Sequence, residues 1–406
     1  MYRVAERIES AIRGASDSPT DPSAADERAK LRRPGLRRPT AVALLLVALV
    51  IGAGPILPDG APGAPQAADA ATGLIFTRSQ IRARPMSGSA WNALKTVALR
   101  TISTPRLADP DDEESIEALA AALVYARSGT TSYRNKARKA IMASIGTEVS
   151  SDSNAMLGVA RNLGTIVLAA DLIDMRNNFP TDDKRFRTWL SAVRTKRIGS
   201  HSKWYTLIGT HKSSANNWGA FAGASRIAAS RYLGDTTDVA RAARVLRGFL
   251  GDRTAYASFR TPDSAALSWG CSSLSTWRPV TGTCTKGGHS LSGAIIEDVS
   301  RGGAYAWPPR GSGITYMQES LQGLLVQAEL LQRAGYEPYK WSGRGLRRIA
   351  SFVSSYSGWN PSTASYHVPW ILNARYGIRL PVKGARYGRM FGFTDWLYNR
   401  SGLKVA

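Results

Sequence analysis

From Trp91 onward the chain repeats one pattern: apolar side chains spaced three and four residues apart, in runs of seven to nineteen residues, separated by short polar breaks. That spacing gathers the apolar positions on one face of a helix. It predicts helices over Trp91–Leu99, Ser115–Ala126, Tyr133–Ile145, Ala155–Ile173, Phe186–Val193, Trp218–Leu233, Val239–Leu250, Tyr316–Ala334, Leu346–Tyr356 and Trp370–Tyr376. The breaks carry stop and start signals. In Gly234-Asp235-Thr236-Thr237, glycine ends one helix and Asp or Thr caps the next. The class is therefore all-α, a series of helical hairpins. Periodicity alone does not separate an open solenoid from a closed toroid.

The helical pattern stops between Gly251 and Gly313, a stretch of about sixty residues rich in Gly, Ser, Pro and Trp. Loops of that length inside a compact protein are usually functional or disordered. Trp269, Trp277 and Trp307, together with a pair of cysteines, predict an ordered one. No internal linker interrupts the rest. Residues 71–406 read as one domain, preceded by a leader over 1–70.

In the leader, Arg32, Arg33, Arg37 and Arg38 precede the apolar run Ala41–Ile51, and Ala68-Asp69-Ala70 offers small residues for cleavage. This is the order of an export signal. The run is shorter than the roughly 20 residues a spanning helix needs, so the protein is expected to be secreted, with membrane association only if the segment is retained as an anchor. Cys271 and Cys284 are the only cysteines, and in an exported chain they are expected to pair. Closing that loop would stabilise the fold by about 3 kcal/mol on the chain-entropy model. The four histidines, His201, His211, His289 and His367, are scattered without metal-ligand spacing, which predicts no structural zinc.

Charge narrows the partner. The chain has 53 Lys+Arg against 30 Asp+Glu, and 9 against 8 of these fall in residues 1–70, which leaves 44 against 22 for the remainder. Such a surplus favours a polyanion. The basic residues are dispersed and no nucleic-acid module is present, so nucleic acid is set aside and an acidic polysaccharide is the expected partner of a monomeric protein.

Two segments carry the chemistry. Ser214-Ala-Asn-Asn-Trp-Gly-Ala-Phe-Ala-Gly-Ala-Ser-Arg226 places Asn216 and Asn217 at the start of an apolar, small-residue helix. Arg301-Gly-Gly-Ala-Tyr-Ala-Trp307-Pro-Pro-Arg310 runs into the helix that carries Tyr316. Breaking a polyuronate by β-elimination requires loss of the C5 proton, made weakly acidic by the adjacent carboxylate, and protonation of the O4 leaving group. Asn or Arg donors neutralise the carboxylate and stabilise the enolate-like charge. A phenol serves as acid and base if cationic neighbours supply the roughly 4 kcal/mol that moves it from about 10 to about 7.

These segments, with Leu321-Gln322-Gly323 after Tyr316 and with Thr394-Asp395-Trp396, resemble the alginate lyase family over most of residues 74–400. The resemblance implies an incomplete α/α toroid and eliminative cleavage of alginate or a related polyuronate without a metal cofactor. By the same resemblance Asn217 neutralises the carboxylate, Tyr316 is acid and base, and Arg301 supports the carboxylate or the phenolate. One position departs. The family follows its second Asn with a catalytic His, and here that residue is Trp218. Either Tyr316 makes both proton transfers, or His211 takes the vacant role, or the substrate differs. Arg310 competes with Arg301 for the cationic role, and Asn216, Trp218, Trp307 and Trp269 are expected to bind sugar.

Each residue also has a structural explanation: Asn216 and Asn217 as helix caps, Tyr316 and the tryptophans as packed aromatics, the arginines as solvated charges. Two other functions fit the composition. One is a glycoside hydrolase using a pair among Asp263, Glu297, Asp298 and Glu319, and the other is a noncatalytic polysaccharide-binding envelope protein.

Overall fold

A computed structural model describes residues 73–200, 205–357, 367–382, 384 and 390–399. The leader assigned to 1–70 and His201 lie outside the described residues.

After α1 (Arg78–Arg82), the hairpin series runs through α2 (Gly88–Leu99), α3 (Glu114–Ser128), α4 (Thr131–Ala143), α5 (Ala155–Leu172), the single turn α6 (Met175–Asn178), α7 (Pro180–Val193), α8 (Leu207–Ser213), α9 (Asn217–Leu233) and α10 (Thr236–Phe249). Local chemistry sets these limits. Glu114 and Glu117 occupy the first turn of α3, where the helix dipole favours anions, and Gly129 ends it in the left-handed region at φ 76°. Pro180 starts α7, its fixed φ matching the first helical position and its missing N–H costing no helical bond there. Gly234 ends α9 at φ 78°. The Asp235 side chain then caps α10 by accepting the Asp238 N–H at 2.9 Å, so the stop–start signal predicted for that break is realised.

The loop region holds α11 (Ser264–Ser268), a two-stranded antiparallel hairpin of β1 (Thr285–Lys286) and β2 (His289–Ser290), and α12 (Ile296–Val299). The expected disulfide joins Cys271 to Cys284. The chain continues through α13 (Gly311–Arg333), α14 (Trp341–Ser357), α15 (Val368–Tyr376) and α16 (Thr394–Tyr398).

Helices alternate between two layers. α3, α5, α9 and α13 are buried over nearly their whole length, whereas α4 buries little beyond Ala137, Ala140 and Ile141, and α7 only Asp183, Phe186, Leu190 and Val193. Around the inner layer α3 packs on α5, α5 on α9, and α9 on α13. This is an incomplete α/α toroid, the arrangement that periodicity left open. α5 alone among the described helices is long and apolar enough to cross a bilayer, but 89% of that stretch is buried, which marks it as core.

Small residues let the inner helices approach closely. A Cβ on Gly323 of α13 would lie 2.5 Å from the Ala220 carbonyl carbon of α9. The ring's charged residues are paired where buried. Arg161 of α5 meets Glu319 of α13 at 2.5 Å, each side chain 6% exposed, and Arg226 of α9 grips Asp238 of α10 through two hydrogen bonds of 3.0 and 2.6 Å. The last helix closes back on the first hairpin. Trp396 packs 5.5 Å from Trp91, and its indole N–H donates to the Pro85 carbonyl at 2.8 Å.

Candidate active site

The site forms where the start of α9, the short helix α12 and the second turn of α13 meet. Asp298, at the end of α12, is the pivot. Its carboxylate is fully buried and accepts the Asn217 backbone N–H at 3.1 Å on one oxygen and the Ser320 hydroxyl on the other. Ser320 lies four residues after Tyr316, on the same face of α13, so one buried carboxylate fixes the helix start carrying Asn217 against the turn carrying Tyr316. Gly313 makes this possible, since a Cβ there would sit 2.3 Å from the Val299 carbonyl oxygen and hold α13 away from α12.

Three residues downstream of Asp298, Arg301 places its guanidinium carbon 5.1 Å from the centre of the Tyr316 ring. That distance is within cation–π range. Arg301 is exposed and Tyr316 half-buried, so their shared edge faces outward. Asn217 is 1% exposed, and among the described residues its side-chain oxygen has no hydrogen-bond partner. Burial pushes the Asp298 carboxyl up to about 7, opposed by the Ser320 hydroxyl, Arg301 and the Asn217 N–H. Burial also raises Glu297, opposed by Arg260, Arg301 and a hydrogen bond from Asn216.

The other sequence candidates separate into two groups. Near the site, Arg310 is exposed at the residue preceding α13 and packs over Gly302. Trp307 is 37% exposed, stacked on His289 at 4.1 Å, and forms part of the rim. Trp218 is half-buried, its ring edge-on to Tyr205 at 5.9 Å.

Asn216, His211 and Trp269 are occupied with structural work. The Asn216 oxygen caps α9 by accepting the Trp218 N–H at 3.1 Å, and its amide donates to Glu297 at 2.8 Å, so the side chain anticipated as a sugar ligand is a cap. His211 is 2% exposed, 3.3 Å from the Arg226 guanidinium. It sits beside the Arg226–Asp238 pair, and Arg226 lies nine residues beyond Asn217, about 13 Å along α9 at 1.5 Å per residue. Burial first, and Arg226 second, hold its imidazole well below the usual histidine range. The ring there is neutral, enclosed and engaged with Arg226. Trp269 is 1% exposed, donates its indole N–H to the Gly303 carbonyl at 2.9 Å and packs edge-on against Tyr305. Its predicted stacking face lies inside the core, where it braces the Arg301 loop.

Along the sequence Asp298 reads only as a candidate hydrolase carboxylate, and Ser320 belongs to no motif. The four-residue interval from Tyr316 to Ser320 was the available signal. Among the described residues no group of three or more His, Cys, Asp and Glu side chains is placed to hold a metal ion.

The fold is shared with solved alginate lyase A1-III structures. A Tyr-to-Phe variant of that enzyme complexed with tetrasaccharide superposes with a TM-score of 0.52 at 14% identity, over 83% of this chain and 99% of that chain. A His-to-Ala variant in apo form gives 0.51 at 15% identity, over 82% and 97%. The enzyme from Sphingomonas species A1 gives 0.50 at 14%, over 81% and 96%. No family model matches the chain, and no curated protein matches it by sequence. At these identities the likeness shows a shared toroidal fold alone, and the chemistry is argued from the residues.

Proposed function

We propose that the protein is an exported polysaccharide lyase that cleaves alginate or a related polyuronate by β-elimination. The observation that carries this reading is the Asn217–Asp298–Ser320 bridge, which holds a helix N-terminus beside a tyrosine stacked under Arg301. Arg301 offers a full charge at the exposed edge of the site, and the Asn217 amide group stands at the start of α9, whose first N–H groups are taken by Asp298 and Asn216. Together they suit a uronate carboxylate and the enolate-like charge that grows on it. Tyr316, with the Arg301 guanidinium against its ring, is the base that takes the C5 proton. As the C4–O4 bond breaks and the C4–C5 double bond forms, the same oxygen returns that proton to O4. Both transfers occur on one face of the sugar, so no histidine is needed where Trp218 stands. The net charge of the mature region and the disulfide fit an acidic polysaccharide met outside the cytoplasm.

Glycoside hydrolysis is less well supported because its carboxylates are engaged. Glu319 is ion-paired to Arg161, Asp263 caps α11, Asp298 is fully buried and Glu297 accepts from Asn216. The test is incubation with a panel of acidic polysaccharides, reading the ultraviolet absorbance of unsaturated uronate ends. Tyr316→Phe is expected to lower kcat by ~100- to 10,000-fold while binding persists, and His211→Gln to leave kcat within about threefold if the fold is kept. A reducing end without the chromophore would establish hydrolysis, and binding without any turnover would leave a noncatalytic protein.

A further inference from the structure

A second basic feature lies outside this site. An open groove of about 490 Å³ runs between the β2 turn and the outer face of α14, lined by Ser290, Arg344, Arg347, Arg348, Ser351 and Phe352 among others. None of the described residues lining it is acidic. Arg347, Arg348, Ser351 and Ser355 share one face of the helix, and Arg344 lies in the turn just before it. Like charges gathered in one groove repel each other, and an anion there relieves the repulsion.

The backbone is shaped to present them. Ser342, Gly343 and Arg344 all adopt left-handed conformations, with φ of 51, 62 and 59°. For Ser342 and Arg344 this costs energy that must be offset by surrounding contacts, as is common at ligand clamps. Arg348 supplies those contacts by donating to the Ser342 and Gly343 carbonyls. One arginine therefore fixes the turn while Arg344 and Arg347 remain exposed.

Aromatic contacts connect the groove to the candidate active site. Phe352, in the groove wall, packs against Tyr356 at 5.6 Å. Tyr356 meets the edge of Trp307 at 4.8 Å, and the partly exposed Trp307 belongs to the same loop as Arg301. From Tyr356 back to Gly345, where the right-handed helix starts just after Arg344, is eleven residues, about 16 Å.

We propose that this groove is a distal subsite for the carboxylates of the same polyuronate chain, several sugars from the bond that is cut, with Arg344 and Arg347 as its ligands and Trp307 as the stepping stone between. The inference rests on the proposed lyase function for its substrate class. Guanidinium groups take carboxylates bidentately, which suits a sugar acid. The subsite makes the protein a reader of chain length, favouring polymer over short oligomers.

The experiment compares wild type with Arg344→Gln/Arg347→Gln and with a control, Arg241→Gln/Arg244→Gln, which removes the same charge from exposed positions on α10. For long polyuronate the groove variant is expected to raise KM about tenfold, or about 1.4 kcal/mol, with kcat kept. For trisaccharide neither constant should move. An unchanged polymer KM, an equal rise for the trisaccharide, or an equal rise in the control overturns the subsite. If wild type turns over no polyuronate, the catalytic reading fails separately, and calorimetric titration with the same polymer judges the groove. A tenfold weaker affinity in the groove variant but not in the control upholds it, and equal affinities reject it.

Discussion

Replacing Asp298 by Asn isolates the buried carboxylate that joins Asn217 to Tyr316. The amide keeps the shape of the protonated acid: its oxygen accepts the Asn217 N–H, and the Ser320 hydroxyl turns from donor to acceptor. Burial raises the folded carboxyl from its ordinary 3.8 to about 7. At about 1.4 kcal/mol per unit, that difference of roughly three units is on the order of 4 kcal/mol. The sign follows from proton counting. Between about pH 4 and pH 7 the folded protein keeps a proton that the unfolded chain releases, so wild-type stability falls as pH rises through this window and levels off above it. The variant has no such proton. Its stability relative to wild type should be near zero at pH 4 and grow towards that magnitude by pH 8. Glu297 and the other shifted carboxyls titrate in both proteins and largely cancel in the difference. Denaturant midpoints for both proteins across pH 4–8 supply the measurement. Parallel curves would refute the claim that Asp298 is buried with its proton.

Two further perturbations test the scaffold beneath the site. Gly323→Ala gains about 1 kcal/mol of helix propensity but forces a methyl into the Ala220 backbone, so a net loss of about 1–3 kcal/mol is expected by chemical denaturation. A stabilised variant would mean that α9 and α13 are not in close contact. Arg161→Met strands Glu319 in the core and should cost about 3–5 kcal/mol, whereas Arg161→Met/Glu319→Leu should recover most of it. Equal losses in the single and double variants, by thermal or chemical denaturation, would show that the pair is not coupled.

Much of the helical framework was legible along the chain because each helix needs only local information. Apolar spacing predicted α9 to begin at Trp218, and it begins at Asn217 with its cap at Asn216. α13 begins at Gly311, five residues before the periodicity becomes visible at Tyr316, because its first turn is glycine-rich and packs on α12 through Gly313. The short helices α1, α6, α8, α11, α12 and α16 went unread, being too brief to show a period.

What the sequence settled by itself was the all-α class, the hairpin series with its caps, the ordered loop and the basic surplus, all of which depend on neighbours in the chain or on composition. The division of labour among chemically equivalent residues came only with the tertiary structure. Asn216 and Asn217 are adjacent and identical in type, yet one is consumed as a cap while the other keeps a buried oxygen with no hydrogen-bond partner among the described residues. Trp307 stands on the rim and Trp269 in the core, His211 is enclosed beside Arg226, and Asp298 joins segments 81 and 22 residues away. Burial, pairing and the proton affinity that follows from them are set by what long-range packing brings alongside, and a one-dimensional pattern holds no record of that.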